Sequence, residues 1–225
     1  MGLLEGFIKS TAMILVSEIG DKTFFVAALM AMRYSRGIVF AGCHSALGLM
    51  TILSALFGWA APNLIPRHWT HYAATSLFFL FGLRSLYDGF THEGGESAEL
   101  AEVEAHLQAE DKRDDNATAK SPKTKDGKKQ QNSGLLSPIF LEAFSLTFLG
   151  EWGDRSQIAT IGLAAQEDVL GVTLGGILGH GICTGAAVIG GKHLASRISE
   201  KTVAICGGVL FLIFGAHALI TGAGE

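Results

Sequence analysis

The sequence predicts an all-α membrane protein: six transmembrane helices forming two inverted three-helix repeats, joined by a polar cytosolic linker. Three observations carry that class: long apolar runs, an acidic motif that occurs twice inside them, and one offset that aligns the two halves. Of the 225 residues, 48% are hydrophobic, and mean hydropathy is +0.35. Only 17% are charged, and ten acids and seven bases of that total crowd into residues 93–129. Without that segment, the remainder is too apolar for a soluble domain. A soluble α/β protein with buried strands would need turn signals every few residues, and the sequence lacks them.

The apolar runs are 7–32, 38–60, 70–90, 138–164, 169–191 and 202–222. Each reaches about the 20 residues that cross a hydrocarbon core of about 30 Å. The second is the weakest, interrupted by His44 and closed by Pro62. Trp59, Trp69 and Tyr72 sit where interface anchors belong, and Arg84 and Asp88, four apart near the third run's end, suit an interfacial pair. Cys43, Cys183 and Cys206 all fall in apolar runs, and none forms a Cys-x-x-Cys, so neither a disulfide framework nor a thiolate metal site is indicated. Met1 is followed almost at once by the first run. Either that run is its own insertion signal, or a leader has been removed.

Sliding the chain by 133 positions aligns the halves without a gap. Phe7 falls on Phe140, Glu18 on Glu151, Asp21 on Asp154, Gly42 on Gly175, Thr51 on Thr184 and Gly58 on Gly191. The division expected is 1–91 for the first repeat, 92–136 for the linker and 137–225 for the second repeat. Three spans per repeat is an odd number, so the second copy enters the membrane from the opposite side, as in many secondary transporters whose sites lie at the repeat interface. Twelve Lys and Arg fall in connections on one side, the linker's seven among them, against Lys9 and Arg67 on the other. That imbalance puts the linker in the cytosol and both termini on the lumenal or outer side. Within the linker, Leu100, Val103 and Leu107 at helical spacing predict a short amphipathic helix over 97–113. A solvated tether is the bland reading of this segment, and a regulatory flap the sharper one.

The motif copies are Glu18-Ile19-Gly20-Asp21-Lys22-Thr23 and Glu151-Trp152-Gly153-Asp154-Arg155-Ser156. An ionised side chain facing lipid at mid-membrane costs about 2.5–3.5 kcal/mol on insertion scales. Six such groups would cost on the order of 15–20 kcal/mol, against a typical domain stability of about 5–15 kcal/mol. They are therefore expected to meet across the halves. In a continuous helix, Glu and Asp three apart share one face; the intervening Gly20 or Gly153 permits close approach, or a local break that exposes carbonyls. Glu18, Asp21, Glu151 and Asp154 are the candidate metal ligands, supported by Lys22, Thr23, Arg155, Ser156 and Gln157. An oxygen-rich, carboxylate-dominated set suits Ca²⁺, Mn²⁺ or Mg²⁺. Four carboxylates and two bases sum to −2, which one divalent cation or two protons would neutralise; that equivalence suits exchange of one for the other. Buried Glu–Lys and Asp–Arg pairs can simply pin helices together, a reading weakened by the motif's duplication. His180 is a candidate proton relay and His44 a weaker one, although a lone helical His more often satisfies a carbonyl. The Gly-rich stretches around Gly175 and Gly190 read as helix-packing faces, since no strand precedes them and no phosphate-binding Lys-Ser/Thr follows.

At these residues the chain resembles the cation/proton exchanger family with two E-x-G-D-[KR]-[ST] motifs, first catalogued as uncharacterised protein family 0016. The nearest likeness is to its eukaryotic Golgi branch, which includes human transmembrane protein 165. SEIGDKTFFVAALMAMRYSR, TFLGEWGDRSQIATIGLAAQED and GHGICTGAAVIGGK carry it. The resemblance covers both membrane halves and implies six spans in two inverted halves, with import of Mn²⁺ and Ca²⁺ into the Golgi lumen against protons. That Mn²⁺ would serve glycosyltransferases. The family's motif acids fall on Glu18, Asp21, Glu151 and Asp154. Animal members carry a longer leader, which is the one departure and bears on targeting. The expected partners are the lipid bilayer, divalent cations and protons, with no nucleic acid and no cofactor; assembly with further copies of the chain stays open. Two other classes use similar acids. A passive cation channel would conduct without regard to a pH gradient. An intramembrane aspartyl protease would need the two Asp residues but neither Glu.

Overall fold

The structure, a computed structural model, describes residues 2–91, 103–105, 137–195 and 198–222. Apart from a short helical piece at 103–105, these residues form eight helices: α1 (Leu3–Glu18), α2 (Lys22–Arg33), α3 (Arg36–Leu64), α4 (Arg67–Thr91), α5 (Pro138–Gly150), α6 (Arg155–Ala164), α7 (Val169–Ala195) and α8 (Glu200–Thr221). No strand occurs among them.

The runs expected as the first and fourth spans each fold as two helices, α1–α2 and α5–α6. The motif is what breaks them. Gly20 has φ 85° and Gly153 φ 81°, the left-handed region, where a side chain costs about 1–2 kcal/mol. Glu18 closes α1 and Asp21 occupies the position just before α2; Glu151 closes α5 and Asp154 caps α6. The one-face arrangement on a continuous helix is thereby replaced by the local break.

Three helices are both long and apolar enough to cross a membrane: α3 at mean hydropathy 1.7, Val169–Gly191 of α7 at 1.6, and Lys201–Thr221 of α8 at 2.4. The apolar α5 is shorter, and α4 has the length but carries His68, His71, Arg84 and Asp88. Large side chains such as Leu64, Leu83, Ile213 and Ile220 are exposed, an apolar surface that suits lipid. Pro62 does not close α3, which runs on to Leu64; so near the helix end its missing N–H forfeits a single backbone bond. Gly191, expected in a packing face, is instead a kink in α7, with φ 52°.

Helix packing follows the sequence offset. α1 lies on α7, as α5 lies on α3; α2 packs on α7, as α6 does on α3; α4 pairs with α8. The close approaches repeat as well. A Cβ on Gly42 would stand 2.8 Å from the Phe140 carbonyl, and one on Gly175 would strike the carbonyl of Phe7. Gly42 and Gly175, like Phe7 and Phe140, are equivalent positions under the offset of 133.

Two buried clusters fill the bundle. One joins Phe24, Phe25, Met30, Val39 and Cys43, with Val103 from the connecting segment. The other joins Met13, Ile14, Ala55, Phe78, Leu163 and Phe211. Residues 103–105 are helical; the rest of the helix expected over 97–113 lies outside the described residues. Arg84 and Asp88 do form an exposed pair, at 3.9 Å. The starts of α1, α4 and α7 and the ends of α3, α6 and α8 gather at one end of the bundle, here called the termini end. There Lys9 donates to Glu5 and Glu167 at 2.6 Å each. A cavity of about 390 Å³ opens among Asn63, Arg67, His71, Gln166 and Glu167.

Candidate functional site

The two breaks face one another inside the bundle. One carboxylate oxygen from each of Glu18, Asp21, Glu151 and Asp154 lies within 4.8 Å of the others. Glu18 is 2% exposed and Glu151 3%, with Asp21 and Asp154 half-buried. Opposed oxygens around a cation bound at about 2.3–2.6 Å stand about 4.6–5.2 Å apart. The quartet therefore already has the spacing of a Ca²⁺-sized site, and a slight contraction fits a smaller divalent ion. Four like charges this close repel strongly, so the arrangement calls for positive charge from protons or a cation.

Each half also reaches into the other. Ser156 of the second copy stands beside Glu18 of the first, and Thr23 of the first beside Glu151 of the second. Asp154 accepts from the backbone N–H of Ser156 at 2.9 Å and of Gln157 at 2.8 Å, which caps α6. Gln157 folds back so that its Oε1 accepts from the Gly153 N–H at 2.6 Å. Arg155 is half-buried and donates to the Ser17 carbonyl at 3.2 Å, tying α6 to the end of α1. The first copy is looser: Asp21 makes no side-chain cap bond, and Lys22 is exposed. Both bases of the −2 charge count act on Asp21, Arg155 from a half-buried position and Lys22 from an exposed one.

Of the two histidines, His180 is 4% exposed, with Nδ1 3.9 Å from Glu18 Oε2. His44 stacks on Phe40 at 5.2 Å and stands outside the quartet. Sequence reasoning passed over Ser17, whose contribution is a backbone carbonyl. It also passed over Ser54, which lines the pocket beside Glu151 and Asp154. A lone hydroxyl in an apolar run was the available signal for Ser54; nothing marked Ser17.

Comparison with known proteins adds the family. The profile described as "Divalent cation/proton antiporter GDT1" matches residues 6–93 and 139–225. The chain belongs to that family. Its two matched stretches begin 133 positions apart, at 6 and 139, the offset seen in the sequence. GDT1-like protein 5 of Arabidopsis thaliana is 61% identical over 223 residues, covering 97% of both chains. GDT1-like protein 5 of Oryza sativa subsp. japonica is 58% identical, covering 98% of this chain and 96% of its own. GDT1-like protein 3 of Arabidopsis thaliana is 48% identical over 96% of this chain and 71% of its own length. No solved structure matches. The GDT1 family assigns the chain to divalent cation/proton antiporters: a membrane transporter, not an enzyme.

Proposed function

We propose that Glu18, Asp21, Glu151 and Asp154 form a single exchange site that holds either a divalent cation, Mn²⁺ or Ca²⁺, or protons, and moves them in opposite directions. The observation that carries this reading is the convergence of four acids, two from each motif copy, within 4.8 Å. With Arg155 and Lys22 both acting on Asp21, the fully ionised quartet and its two bases sum to −2. One divalent cation neutralises that, and two protons do the same. One cation then exchanges for two protons with no net charge moved, and a neutral site avoids the cost of leaving buried charge uncompensated. His180 beside Glu18 is placed to pass protons. Thr23, Ser156 and Gln157 supply neutral oxygens or hold the acids.

The packing that follows the offset supports two inverted halves, residues 1–91 and 137–225, each with three membrane crossings: α1–α2, α3 and α4, then α5–α6, α7 and α8. Broken helices meeting at a repeat interface are the usual build of such carriers. The linker lies on the cytosolic side and the termini on the lumenal side, in the Golgi membrane. There the imported Mn²⁺ serves glycosylation and the exchange contributes to Ca²⁺ and pH homeostasis.

The test is metal-driven proton flux in proteoliposomes, comparing wild type with Glu151→Gln. Losing one charged partner of about 1.5–3 kcal/mol lowers flux at least about 10-fold and up to about 150-fold. Cation and proton movement fall together, since the same carboxylate carries both. Proton flux that persisted while Mn²⁺ flux vanished would separate the two sites and end this reading, as would a clearly electrogenic cycle. A downhill flux indifferent to an imposed pH gradient would point to a channel.

A further inference from the structure

Two pockets of about 10 Å³ flank the quartet. They are equivalents under the 133-residue offset: Glu151 and Ser156 line one, and Glu18 and Thr23 the other. Thr51 and Thr184 correspond in the same way. Their chemistry nonetheless differs. The first is walled by Ser54, Gln157, Thr160 and His180 together with Met50 and with Leu47, which lines both pockets. The offset places Ala187, Phe24, Ala27 and Leu47 at the positions of the four polar residues on the other side, and Phe24 and Leu47 line the second pocket together with Cys43 and Cys183. The first pocket extends along α3 and α6 towards the termini end, the second towards the opposite end, where Phe24 and Cys43 join the cluster that includes Val103.

The polar side does not stop at the pocket. Ser54 is 1% exposed and Thr75 3%, and neither hydroxyl has a hydrogen-bond partner among the described residues. Helical hydroxyls ordinarily return to a carbonyl one turn back, as Thr51 does to Leu47 and Thr160 to Ser156, each at 2.8 Å. One turn from Thr75 on the buried face of α4 is His71, which lines the cavity of about 390 Å³ at the termini end. In that cavity Gln166 Nε2 and Glu167 Oε2 are also unpartnered among the described residues, and the Glu167 side chain is 4% exposed. An unsatisfied buried polar group costs about 1–3 kcal/mol, and polar atoms left in this state are characteristically met by water. Between pocket and cavity the helices close tightly: a Cβ on Gly58 of α3 would strike the Ile161 carbonyl of α6 and stand 2.8 Å from the Ala164 Cβ.

We propose that ions and protons pass between the four carboxylates and the termini end along a hydrated passage bounded by α3, α4 and α6. It is lined by Ser54, Thr75, Gln157 and Thr160, opens at the Asn63–Glu167 cavity, and narrows where Gly58 meets Ile161; Phe24 blocks the equivalent route on the other side. The inference rests on the quartet as the exchange site, and its test separates the two.

The full chain, reconstituted in sealed vesicles, is exposed from one face at a time to a membrane-impermeant cationic thiol reagent, and modified cysteines are located by mass spectrometry. Asn63→Cys, in the open cavity, identifies the termini face. Ser54→Cys and Thr75→Cys react from that face at least tenfold faster than from the other. The native Cys43 and Cys183, lining the opposite pocket, stay unmodified from it. Two variants are used so that a folding failure in one leaves the other. If neither reacts from the termini face while Asn63→Cys does, the passage is refuted, and so it is if Cys43 and Cys183 react first. Mn²⁺ slows modification of Ser54→Cys if the quartet binds it. Modification that proceeds unslowed keeps the passage and counts against the quartet as the cation site.

Discussion

The two copies of the motif differ at only three of six positions, yet they are held in different ways. In the second copy, Asp154 accepts two backbone N–H groups, Gln157 clamps the Gly153 N–H, and Arg155 reaches back to the Ser17 carbonyl. In the first, Asp21 makes no side-chain cap bond, Lys22 is exposed, and Phe24 stands where the other copy has Gln157. The ligands are duplicated, but the frame that orients them is not. If the four acids are the exchange site proposed above, this framing makes the second copy its fixed half and the first the half that adjusts when a cation is exchanged for protons. A site built this way needs only one rigid wall; the differential contacts that shift it between states come from the other.

The largest effect expected from that difference is in the bases. Arg155→Met removes a half-buried charged donor worth about 1.5–3 kcal/mol, so transport falls about 10- to 150-fold. Lys22→Met, on an exposed side chain, changes it less than about threefold, since exposed charges contribute about 0–1 kcal/mol. Equal losses in the two variants, measured as Mn²⁺ uptake into proteoliposomes, would erase the distinction between the copies.

The glycines give a smaller effect. Gly20→Ala and Gly153→Ala both force a side chain into left-handed backbone, at about 1–2 kcal/mol. A Cβ on Gly20 also stands 2.9 Å from Ile198 Cγ2, whereas one on Gly153 meets nothing within 4 Å. Thermal unfolding in detergent is expected to drop for both and further for Gly20→Ala. The reverse order would mean that the tighter frame of the second copy tolerates less distortion.

Capping comes next. Asp154→Ala and Asp21→Ala both relieve repulsion within the quartet, but Asp154→Ala alone also loses a helix cap worth about 1 kcal/mol, which for a chain of this size is about 2–4 °C in Tm. Asp21→Ala, with no cap bond to lose, is therefore expected to melt about 2–4 °C above Asp154→Ala. Equal Tm values for the two variants would show Asp21 held by contacts other than a cap.

Much of this was legible in the sequence because membrane placement makes polar residues expensive and therefore conspicuous. Glu18, Asp21, Glu151 and Asp154 stood out for that reason, and the offset of 133 tied them together. The break at Gly20 and Gly153 was only one of two readings, because a glycine in an apolar run serves close packing as readily as left-handed backbone; Gly175 and Gly42 took the first use. The unequal framing could not be read in advance. Lys22 and Arg155 look interchangeable along the chain, and which one turns inward depends on Ser17, a residue from another helix whose backbone carbonyl leaves no trace in a side-chain pattern. Pro62 misled in the opposite direction: it reads as a stop, but close to a helix end it costs too little to act as one.

The termini end yields the smallest effect. The offset places Pro138 at the position of Glu5 and Glu142 at that of Lys9, so the Glu5–Lys9–Glu167 bridge belongs to one end only. Glu5 precedes the first apolar run, and the hydrogen bond and charge of Lys9 hold its carboxyl below the ordinary value of 4.5. Because the folded state favours the ionised form, the bridge contributes fully above that ordinary value and loses its contribution as pH falls through the lower folded one. The Glu5 side chain is 40% exposed, so solvent and salt screen most of the gain. Between about pH 5 and pH 3, wild type is therefore expected to lose slightly more thermal stability than Glu5→Gln. Added salt should narrow the gap, since exposed pairs are screened within about 10 Å at 0.1 M. Parallel curves for the two proteins at low salt would show that Glu167, not Glu5, holds Lys9, and would reduce the bridge to the one buried contact that closes the cavity's edge.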